Sequence, residues 1–434
     1  MSNFITEKDN LQKQYLDVLS TTRSTLLKEY DLKKILFNET WYCLAEKKSI
    51  LKSIIKTLVF TPCTLTSDIC NKSILTFYSV LHRIDHDKYW ELITDDLGDH
   101  DTITVDHSFN KNEILGRLSF KFLMKKFRWL LIFFKELKDI KPFISRLYLA
   151  SQLADRKWLL TKIQQLDLHP KVVMCFFDSG KEESLIMQYF KKQGAVTVTN
   201  QHGQPVYLSN LYDRMNQSQI LNFKCDYFLA KGAFTAEQFV NAGYGRHCIK
   251  LLGIVGKNTN GKKNNKFTRT FGVYLDYPGF PFAQESNKLL ISMAEKISAK
   301  KHLKYFIKLH PSDDVRFYDF NKLSKNCIQI FDKKEPLKNT FDIADFSIIH
   351  ASATYLDSYK YGLRALKLCT DINYPIADSI DCFNSSDELS EIIDDWYDST
   401  ELARNTIITN VLNKYETEWN PGKVKKLIHE MIQE

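Results

Sequence analysis

The sequence predicts an α/β protein built from two doubly wound parallel sheets, with extra helices at both ends. Short, nearly continuous apolar runs alternate with segments of helical periodicity, as expected for parallel strands that are buried on both faces. The alternation stops at a polar, lysine-rich stretch, residues 259–266, and then restarts. The chain has 434 residues, which is enough for two domains of ordinary size.

The first half opens with helical periodicity over residues 11–70, which we interpret as a helical extension, residues 1–72. A domain at residues 73–258 follows. It begins with a strand at 74–80, a helix and a strand at 102–105. After a long helical block, strand-like runs at 171–179, 195–203, 225–232 and 249–256 alternate with helices.

The second half follows a linker predicted at residues 259–267. A second domain at 268–385 repeats the alternation, with helices at 286–299 and 355–362, and residues 386–434 are predicted to be helical. Two such domains are expected to face a cleft, with the carboxyl ends of their strands directed towards it.

Composition excludes several classes of protein. With 44% hydrophobic and 26% charged residues, the chain is not disordered, collagen-like or of low complexity. The net charge of +8, from 60 basic and 52 acidic residues, is mild and suits an anionic membrane surface or a phosphorylated substrate.

The nine cysteines form no CxxC pair, which favours free thiols in a reducing compartment and no zinc site. The polar first ten residues and the lack of long apolar runs predict a cytoplasmic protein, at most peripheral to the inner face of the plasma membrane.

Glycine is scarce, with 15 in the whole chain, so each one tends to mark a backbone requirement. Several follow strand-like runs of the first domain: Gly203, Gly232, Gly253 and Gly256. In NQHGQPV, His202 stands directly before such a glycine. A histidine held there can act as a base near neutral pH, although a buried histidine bonded to the backbone is the alternative.

Two further loops join strand ends to helices. In KLHPSDD, Pro311 ends a strand and would direct His310 and Lys308 towards a phosphate or carboxylate; a half-buried strand end is the alternative. In HASATYLDSYKYG, the hydroxyls of Ser352 and Thr354 precede a helix and suit an anion, whereas an ordinary helix cap is the alternative. Asp357 in the first turn could accept hydrogen bonds from ribose hydroxyls.

The segment HRIDHD contains a further candidate base. Asp85 could deprotonate an acceptor hydroxyl, with Arg83 and His86 beside it on the acceptor side. The alternative is a solvated helix start that is capped by Asp85 or Asp87.

The series NQHGQP, CDYFLAKG, IKLLGIVG, IKLHP and ADFSIIHASATYLDSYKYG resembles bacterial GT-B-fold transferases of surface-polysaccharide synthesis. These include capsule Kdo transferases, lipooligosaccharide sialyltransferases and CDP-glycerol glycerophosphotransferases. The resemblance covers roughly residues 171–370 and implies two Rossmann-like domains facing a cleft, with the nucleotide donor bound mainly by the carboxyl-terminal one.

The resemblance also implies roles for single residues. His310 and Pro311 would lie beside the donor nucleotide, Ser352 and Thr354 on its phosphate, and His202 with Gly203 on the acceptor side, with His202 as the base. The chain departs from relatives in having Asp357 where glutamate is frequent, which shortens the reach to the ribose. It also has the hydroxyl loop SAT where relatives often have adjacent hydroxyls.

Together with the resemblance, these residues predict an inverting glycosyltransferase that transfers a sugar from a nucleotide-activated donor to a glycan or lipid-linked glycan. The charge on the leaving nucleotide would be stabilised by loop N–H groups, the two hydroxyls, His310 and Lys308. No DxD pair lies in a convincing strand-end loop, so metal independence and no cofactor are expected. The resemblance favours a CMP- or CDP-linked donor. The alternatives are a CDP-glycerol or CDP-ribitol polyol-phosphate transferase and a non-catalytic glycan-binding or assembly partner.

A basic, aromatic block occupies residues 117–143, in which lysine and arginine alternate with Phe, Trp and Leu. One interpretation is an interfacial helix on anionic lipid, with Lys121, Lys125, Lys126 and Arg128 at the headgroups. The other is a helix that packs its apolar face on the domain core and leaves a solvated basic rim. Nucleic acid is not expected as a partner, because no recognised binding motif accompanies the charge.

Overall fold

A computed structural model describes most of the chain. The described residues are 2–43, 47–59, 63–66, 70–80, 84–106, 120–205, 207, 217–254, 267–276, 283–311, 313, 318–370, 377, 379–417 and 419–433. The predicted linker at 259–267 lies outside these residues except for its last position, and the predicted domain boundaries stay predictions.

The strands and helices alternate along most of the chain. The strands are β1 (Cys63–Thr66), β2 (Ile74–Val80), β3 (Asp101–Asp106), β4 (Val172–Cys175), β5 (Val196–Asn200), β6 (Tyr227–Ala230), β7 (Ile249–Leu251), β8 (Thr270–Tyr274), β9 (Lys304–Lys308), β10 (Cys327–Phe331), β11 (Phe346–Ile349), β12 (Arg364–Leu368) and β13 (Cys382–Phe383). The helices are α1 (Ser2–Thr21), α2 (Leu32–Ile35), α3 (Phe37–Tyr42), α4 (Lys47–Val59), α5 (Ile84–Leu97), α6 (Phe120–Glu136), α7 (Phe143–Gln164), α8 (Glu183–Lys192), α9 (Ser218–Leu221), α10 (Ala233–Asn241), α11 (Ala283–Lys301), α12 (Leu337–Phe341), α13 (Thr354–Lys360), α14 (Ser386–Asp398), α15 (Glu401–Tyr415) and α16 (Lys423–Gln433).

The chain forms two compact units, each built around one sheet. The amino-terminal unit comprises Asn3–Ala230, Ala236–Leu252 and Trp419–Glu434, and the carboxyl-terminal unit consists mainly of Gly253–Glu418 together with Lys231–Thr235. The predicted α/β class with two Rossmann-like sheets is confirmed, with helices added at both ends of the chain.

The sheet of the amino-terminal unit has the order β1-β3-β2-β4-β5-β6-β7. All neighbours are parallel except β1, which pairs antiparallel with β3 at the edge. Counted from β2, the parallel strands follow the order 2-1-3-4-5-6, so the direction of winding reverses between β2 and β4. Strand β4 is buried along its whole length, which explains its uninterrupted apolar sequence.

Alternate side chains of β2 enter two different hydrophobic cores, because successive residues of a strand point to opposite faces. Phe77 packs in the core that also receives side chains of α6, α7 and α8. The amino-terminal helices join this same core, for example through Tyr15 and Leu19 of α1. Tyr78 packs on the other face with Trp90 of α5 and with α16.

The last helix, α16, is held to the amino-terminal unit by one carboxylate at the end of α5. Asp96 accepts hydrogen bonds from the indole N–H of Trp419 at 3.1 Å and from the backbone N–H of Val424 at 2.8 Å. The apolar face of α16 then covers the core beside α5 through Val424, Ile428 and Met431.

The sheet of the carboxyl-terminal unit is entirely parallel, with the order β10-β9-β8-β11-β12-β13. Counted from β8 this is the order 3-2-1-4-5-6 of dinucleotide-binding folds, and its winding reverses between β8 and β11. The carboxyl ends of β8 and β11 therefore flank the position at which such sheets bind ligands.

The basic, aromatic block forms α6, which packs on α7 through Trp129, Leu130 and Phe133. The expectation that Lys126 reaches lipid headgroups is wrong. Its ammonium group is buried, donates a hydrogen bond of 2.6 Å to the carbonyl of Thr57 and pairs with Asp155. Lys126 lies on the face of α6 that meets the core, and burial makes an ion pair necessary there.

No helix in the described part of the chain is both long and apolar enough to cross a bilayer.

Candidate functional site

The loop that follows β5 holds His202 at the carboxyl edge of the first sheet. The backbone N–H of His202 donates a hydrogen bond of 2.8 Å to Gln219 Oε1, and the amide group of Gln219 donates back to the carbonyl of His202. Gly203 has a φ of +64°, in the left-handed region that favours glycine, and a Cβ there would meet no atom within 4 Å. The Gln219 side chain thus fixes the backbone of the loop at His202, and the imidazole of His202 is half-buried.

His86, in the first turns of α5, lies directly beside His202. The two ring centroids are 4.4 Å apart and the rings meet edge to face at 89°. Phe176, just after β4, contacts both rings, with centroid distances of 5.2 Å to His86 and 5.5 Å to His202. Phe177 lies 5.3 Å from His202. The structure therefore brings together His202 and His86, which the sequence placed on the acceptor side from separate segments.

The other residues of HRIDHD are less informative. The backbone of Asp85 is in α5, but its side chain lies outside the described part, and Arg83 lies wholly outside it. Asp87 accepts a hydrogen bond from the hydroxyl of Tyr78 on β2, so its carboxylate ties α5 to the sheet.

A loop that sequence reasoning missed connects β4 to α8 at the same edge of the sheet. Glu182 and Glu183 are buried there; Glu182 accepts a hydrogen bond from the Ser79 hydroxyl and Glu183 accepts one from the Ser79 N–H, each at 3.0 Å. Gly180 packs so closely against Glu183 that a Cβ added at position 180 would lie 2.3 Å from Glu183 Oε2. In the sequence, the available signal was two adjacent glutamates just after the strand-like run VVMCFFDSG. Their burial is informative because carboxylates are rarely buried without a specific reason.

In the carboxyl-terminal unit, the reversal of winding holds a buried polar network. Asp276 follows β8 and His350 follows β11, and both side chains are fully buried. His350 Nδ1 lies 2.7 Å from Asp276 Oδ2, and the backbone N–H of Ala351 donates to Asp276 Oδ1 at 3.0 Å. His350 Nε2 lies 3.0 Å from the hydroxyl of Thr370, after β12. This network fixes the start of the loop that contains the predicted phosphate-binding hydroxyls.

Those hydroxyls, on Ser352 and Thr354, are half-buried and lie beside each other. The Ser352 hydroxyl donates to Thr354 Oγ1 at 2.9 Å and accepts from the Thr354 N–H at 3.2 Å. Ser352 thus closes a short turn before α13, whose N-cap residue is Ala353 and has no side-chain hydrogen bond to the helix. Since the Ser352 hydroxyl proton is donated to Thr354 Oγ1, the Thr354 hydroxyl proton is the one that can be donated to a bound anion.

Lys308, at the end of β9, uses its ammonium group within the protein. Nζ donates to the carbonyls of Leu309, Asp332 and Lys333 at 2.8, 3.0 and 3.3 Å, which engages all three of its donors. Burial lowers the pKa of Lys308, while the nearby carboxylates of Asp332 and Glu335 oppose that shift.

Beyond Lys308 the chain turns at the HP sequence. The carbonyl of His310 accepts a hydrogen bond of 2.8 Å from the N–H of Asp313, with the His310 ring half-buried and Pro311 exposed. This turn leaves His310 at the carboxyl end of β9.

Asp357, on α13, shares a lysine with a carboxylate that the sequence did not single out. Lys360 Nζ lies 3.5 Å from Asp357 Oδ1 and 2.9 Å from Glu416 Oε1. Burial disfavours the charged lysine, but Glu416 and then Asp357 outweigh burial and raise the pKa of Lys360. Glu416 is buried, and no described residue offers a hydrogen bond to its Oε2. Glu416 was not identified from the sequence, because it lies 56 residues after Lys360, in a region that is predicted only to be helical.

Comparison with known proteins bears on the fold. No family model and no curated protein matches the sequence. Among solved structures, a UDP-GlcNAc 2-epimerase from Neisseria meningitidis bound to UDP-GlcNAc aligns with a TM-score of 0.52 and 12% identity, over 83% of this chain and 99% of that one. The S. aureus MnaA–UDP structure aligns with a TM-score of 0.50 and 11% identity, over 83% and 95% of the two chains. A glycosyltransferase from Rickettsia africae aligns with a TM-score of 0.48 and 14% identity, over 84% and 98%.

The fold is of the GT-B type.

Within this GT-B-type chain, the candidate residues form separate clusters on the two sheets. His202, His86 and the Phe176–Phe177 pair form one at the first sheet, and Asp276, His350 and the Ser352–Thr354 loop form one at the second. No group of three His, Cys, Asp or Glu side chains suited to a metal ion occurs among the described residues.

Proposed function

We propose that this protein is a glycosyltransferase that moves a sugar from a nucleotide-activated donor to a growing bacterial capsule, lipooligosaccharide or cell-wall glycan. The observation that carries the proposal is the contact of His202 with His86, 4.4 Å between ring centroids, on a loop fixed at the carboxyl edge of a Rossmann-like sheet. The GT-B-type fold supports it, and the two best-aligned structures quoted above contain UDP-GlcNAc and UDP.

His202 is the proposed base. The acceptor hydroxyl gives its proton to the His202 imidazole, and its oxygen bonds to the anomeric carbon of the donor sugar. The bond from that carbon to the donor phosphate oxygen breaks, and the nucleotide leaves with the electron pair, which inverts the configuration at the anomeric carbon. His86 and Phe176 restrict the orientation of the His202 ring, and a positioned base of this kind accelerates transfer by about 10²–10⁴-fold.

The donor is proposed to bind at the carboxyl ends of the second sheet. There the hydroxyls of Ser352 and Thr354, together with His310 at the end of β9, would stabilise the charge on the departing phosphate. Asp357 would accept hydrogen bonds from the ribose, and Glu416 Oε2 is a second acceptor held at the same lysine. Because the donors of Lys308 are engaged by carbonyls, we assign no phosphate contact to it.

The direct test is a screen of CMP-, CDP-, UDP- and GDP-linked donors for nucleotide release, repeated with EDTA to test the expected metal independence. Release of CMP from CDP-glycerol or CDP-ribitol alone would refute sugar transfer in favour of polyol-phosphate transfer. Conversion of intact UDP-GlcNAc to its C2 epimer without nucleotide release would refute transfer altogether. If no nucleotide stabilised the protein against heating, a non-catalytic glycan-binding role would replace the proposal.

The role of His202 has its own test. His202→Ala should reduce transfer by about 10²–10⁴-fold and leave the Kd for nucleotide nearly unchanged, because its ring lies on the sheet proposed for the acceptor. His169→Ala is the matched control, since His169 is largely exposed and its Nε2 lies 3.2 Å from Asp167 Oδ1, away from the candidate residues in sequence. A large loss of nucleotide affinity in His202→Ala with an intact transfer rate would invert the assignment of the two sheets.

A further inference from the structure

Two neighbouring helices of the amino-terminal unit expose large apolar side chains to solvent. Each of these side chains is 50–54% exposed, far more than is usual for such residues in a folded domain. They define the α4–α6 face: Leu51 and Ile55 on α4, and Met124, Phe127 and Leu131 on α6.

The spacing of these residues gives each helix one continuous apolar stripe. Leu51 and Ile55 are four residues apart, and Met124, Phe127 and Leu131 are separated by three and four, so each set lies on one side of its helix. The opposite side of α6 is buried against α7. The bond from Lys126 Nζ to the carbonyl of Thr57 joins α6 to α4. The exposed stripes therefore belong to helices that are already fixed in the fold.

Basic side chains border both stripes. Lys52 and Lys56 on α4 are exposed beside Leu51 and Ile55. Among the side chains of α6 that the structure describes, which do not include Lys121, the exposed cations are Lys125, Arg128 and Lys135. The only acidic residue in either helix is Glu136, which accepts hydrogen bonds from Thr25 and so faces away from the stripe.

The cations of this face also crowd one another. Burial and then Lys125 lower the pKa of Lys157 on α7, and burial followed by Lys181 and Lys52 lowers the pKa of Lys56. Carboxylates offset part of this charge, since Lys181 Nζ lies 4.0 Å from Asp155 Oδ2 and 3.8 Å from Glu182 Oε1. An anionic surface would relieve the repulsion between the exposed lysines.

We propose that the α4–α6 face docks on an anionic lipid bilayer. The two helices would lie in the plane of the interface, with the apolar stripes at the acyl boundary and the lysines and Arg128 at the lipid phosphates. Nucleic acid would satisfy the charges but would leave five large apolar side chains in water. A second copy of the same face would bring like charges together. Lipid is the partner that matches both the apolar and the basic part of the surface.

Docking of this kind would concentrate the protein where lipid-linked glycans are found. It is independent of the proposed transfer reaction, since neither His202 nor the loops of the second sheet take part in it.

The test is flotation of the full chain with vesicles of phosphatidylcholine alone and of phosphatidylcholine with 30% phosphatidylglycerol. We expect binding to the anionic vesicles that weakens as salt is raised. Lys125→Ala with Arg128→Ala should weaken it about thirty-fold, the factor for two surface cations. Phe127→Ser with Leu131→Ser should weaken it about tenfold or more through loss of apolar burial. All of these side chains are exposed, so the variants should keep the thermal stability of the parent.

Matched controls lie on α11 of the other unit, where Lys288 and Lys296 are exposed and Leu289 is 40% exposed. Lys288→Ala with Lys296→Ala, and separately Leu289→Ser, should not change flotation. Equal losses from the α11 variants, or no loss from the α6 variants, would overturn the proposal. Binding to duplex nucleic acid that depends on Lys125 and Arg128, without flotation on anionic vesicles, would overturn it in favour of a nucleic-acid partner.

Discussion

Replacing Asp276 by alanine should destabilise the carboxyl-terminal unit, because this carboxylate organises the reversal of winding in its sheet. It accepts hydrogen bonds from Ala351 N–H at 3.0 Å and from His350 Nδ1 at 2.7 Å, in a fully buried position. Alanine would remove the hydrogen-bond partner that the Ala351 N–H and His350 Nδ1 share, whichever ring nitrogen carries the proton. Each buried polar group that loses its partner costs about 1–3 kcal/mol, so we expect a loss of about 2–6 kcal/mol in the free energy of unfolding.

Asp276→Asn separates the hydrogen bonds from the charge. The amide oxygen can still accept from Ala351 N–H, and the amide N–H₂ can donate to His350 if the histidine proton moves to Nε2, where the Thr370 hydroxyl can accept it. We therefore expect Asp276→Asn to lose only about 1 kcal/mol. Ala351 directly precedes Ser352, so Asp276→Ala should also weaken nucleotide binding, and Asp276→Asn should largely restore it.

The measurement must report on one unit at a time, because a chain of two units need not unfold in a single step. Urea unfolding followed by pulsed hydrogen exchange and mass spectrometry does this, since peptides from β8, β11 and β12 are distinguished from those of the first sheet. An Asp276→Ala variant within about 0.5 kcal/mol of the parent, which is the precision of such a measurement, would refute the reasoning. So would an equal loss in Asp276→Ala and Asp276→Asn.

Two further substitutions test close contacts in the carboxyl-terminal unit, and Gly194→Ala in the amino-terminal unit serves as a control. Gly232→Ala should destabilise it by about 3 kcal/mol or more, because the new Cβ would lie 2.0 Å from the backbone oxygen of Tyr415. Gly194→Ala, with a φ of +88° and open space around it, should cost only about 1–2 kcal/mol in urea unfolding, and equal costs would contradict the clash. Lys308→Met should lower stability by about 1–3 kcal/mol and leave nucleotide affinity within about twofold, because its donors serve backbone carbonyls. A large loss of affinity at unchanged stability, measured by calorimetric titration, would instead return Lys308 to the phosphate.

Strands buried on both faces were the part of the fold that sequence predicts well. The run that forms β4 is apolar throughout, and the run that forms β11 is apolar except for the buried Ser347, because both strands are buried along their whole length. The order of strands could not be predicted in the same way. It depends on which apolar edges meet, and nothing in the local sequence announces that β1 pairs antiparallel with β3.

The candidate site shows the same division. The glycine after His202 was a local signal, and Gly203 does adopt the left-handed conformation that glycine favours. No local signal predicts the contact between His202 and His86. The two residues meet because β2, β4 and β5 are neighbours in the sheet. Lys308 and Lys126 show the converse: a cation beside a strand end or on an amphipathic helix has the same sequence signature whether it meets a ligand, a carbonyl or a buried carboxylate.

The two sheets differ in strand order, so the point at which the winding reverses lies at a different place in each sheet. Winding reverses between β2 and β4 in the first sheet and between β8 and β11 in the second. At a reversal the loops diverge to opposite faces and leave a crevice beyond the carboxyl ends of the strands. His86 and Phe176 follow the first pair of strands, and Asp276 and His350 follow the second, each pair in direct contact. Ligands of such sheets bind in this crevice, so His86 and Asp276, rather than Lys308, are the first positions to mutate in a test of the proposed function.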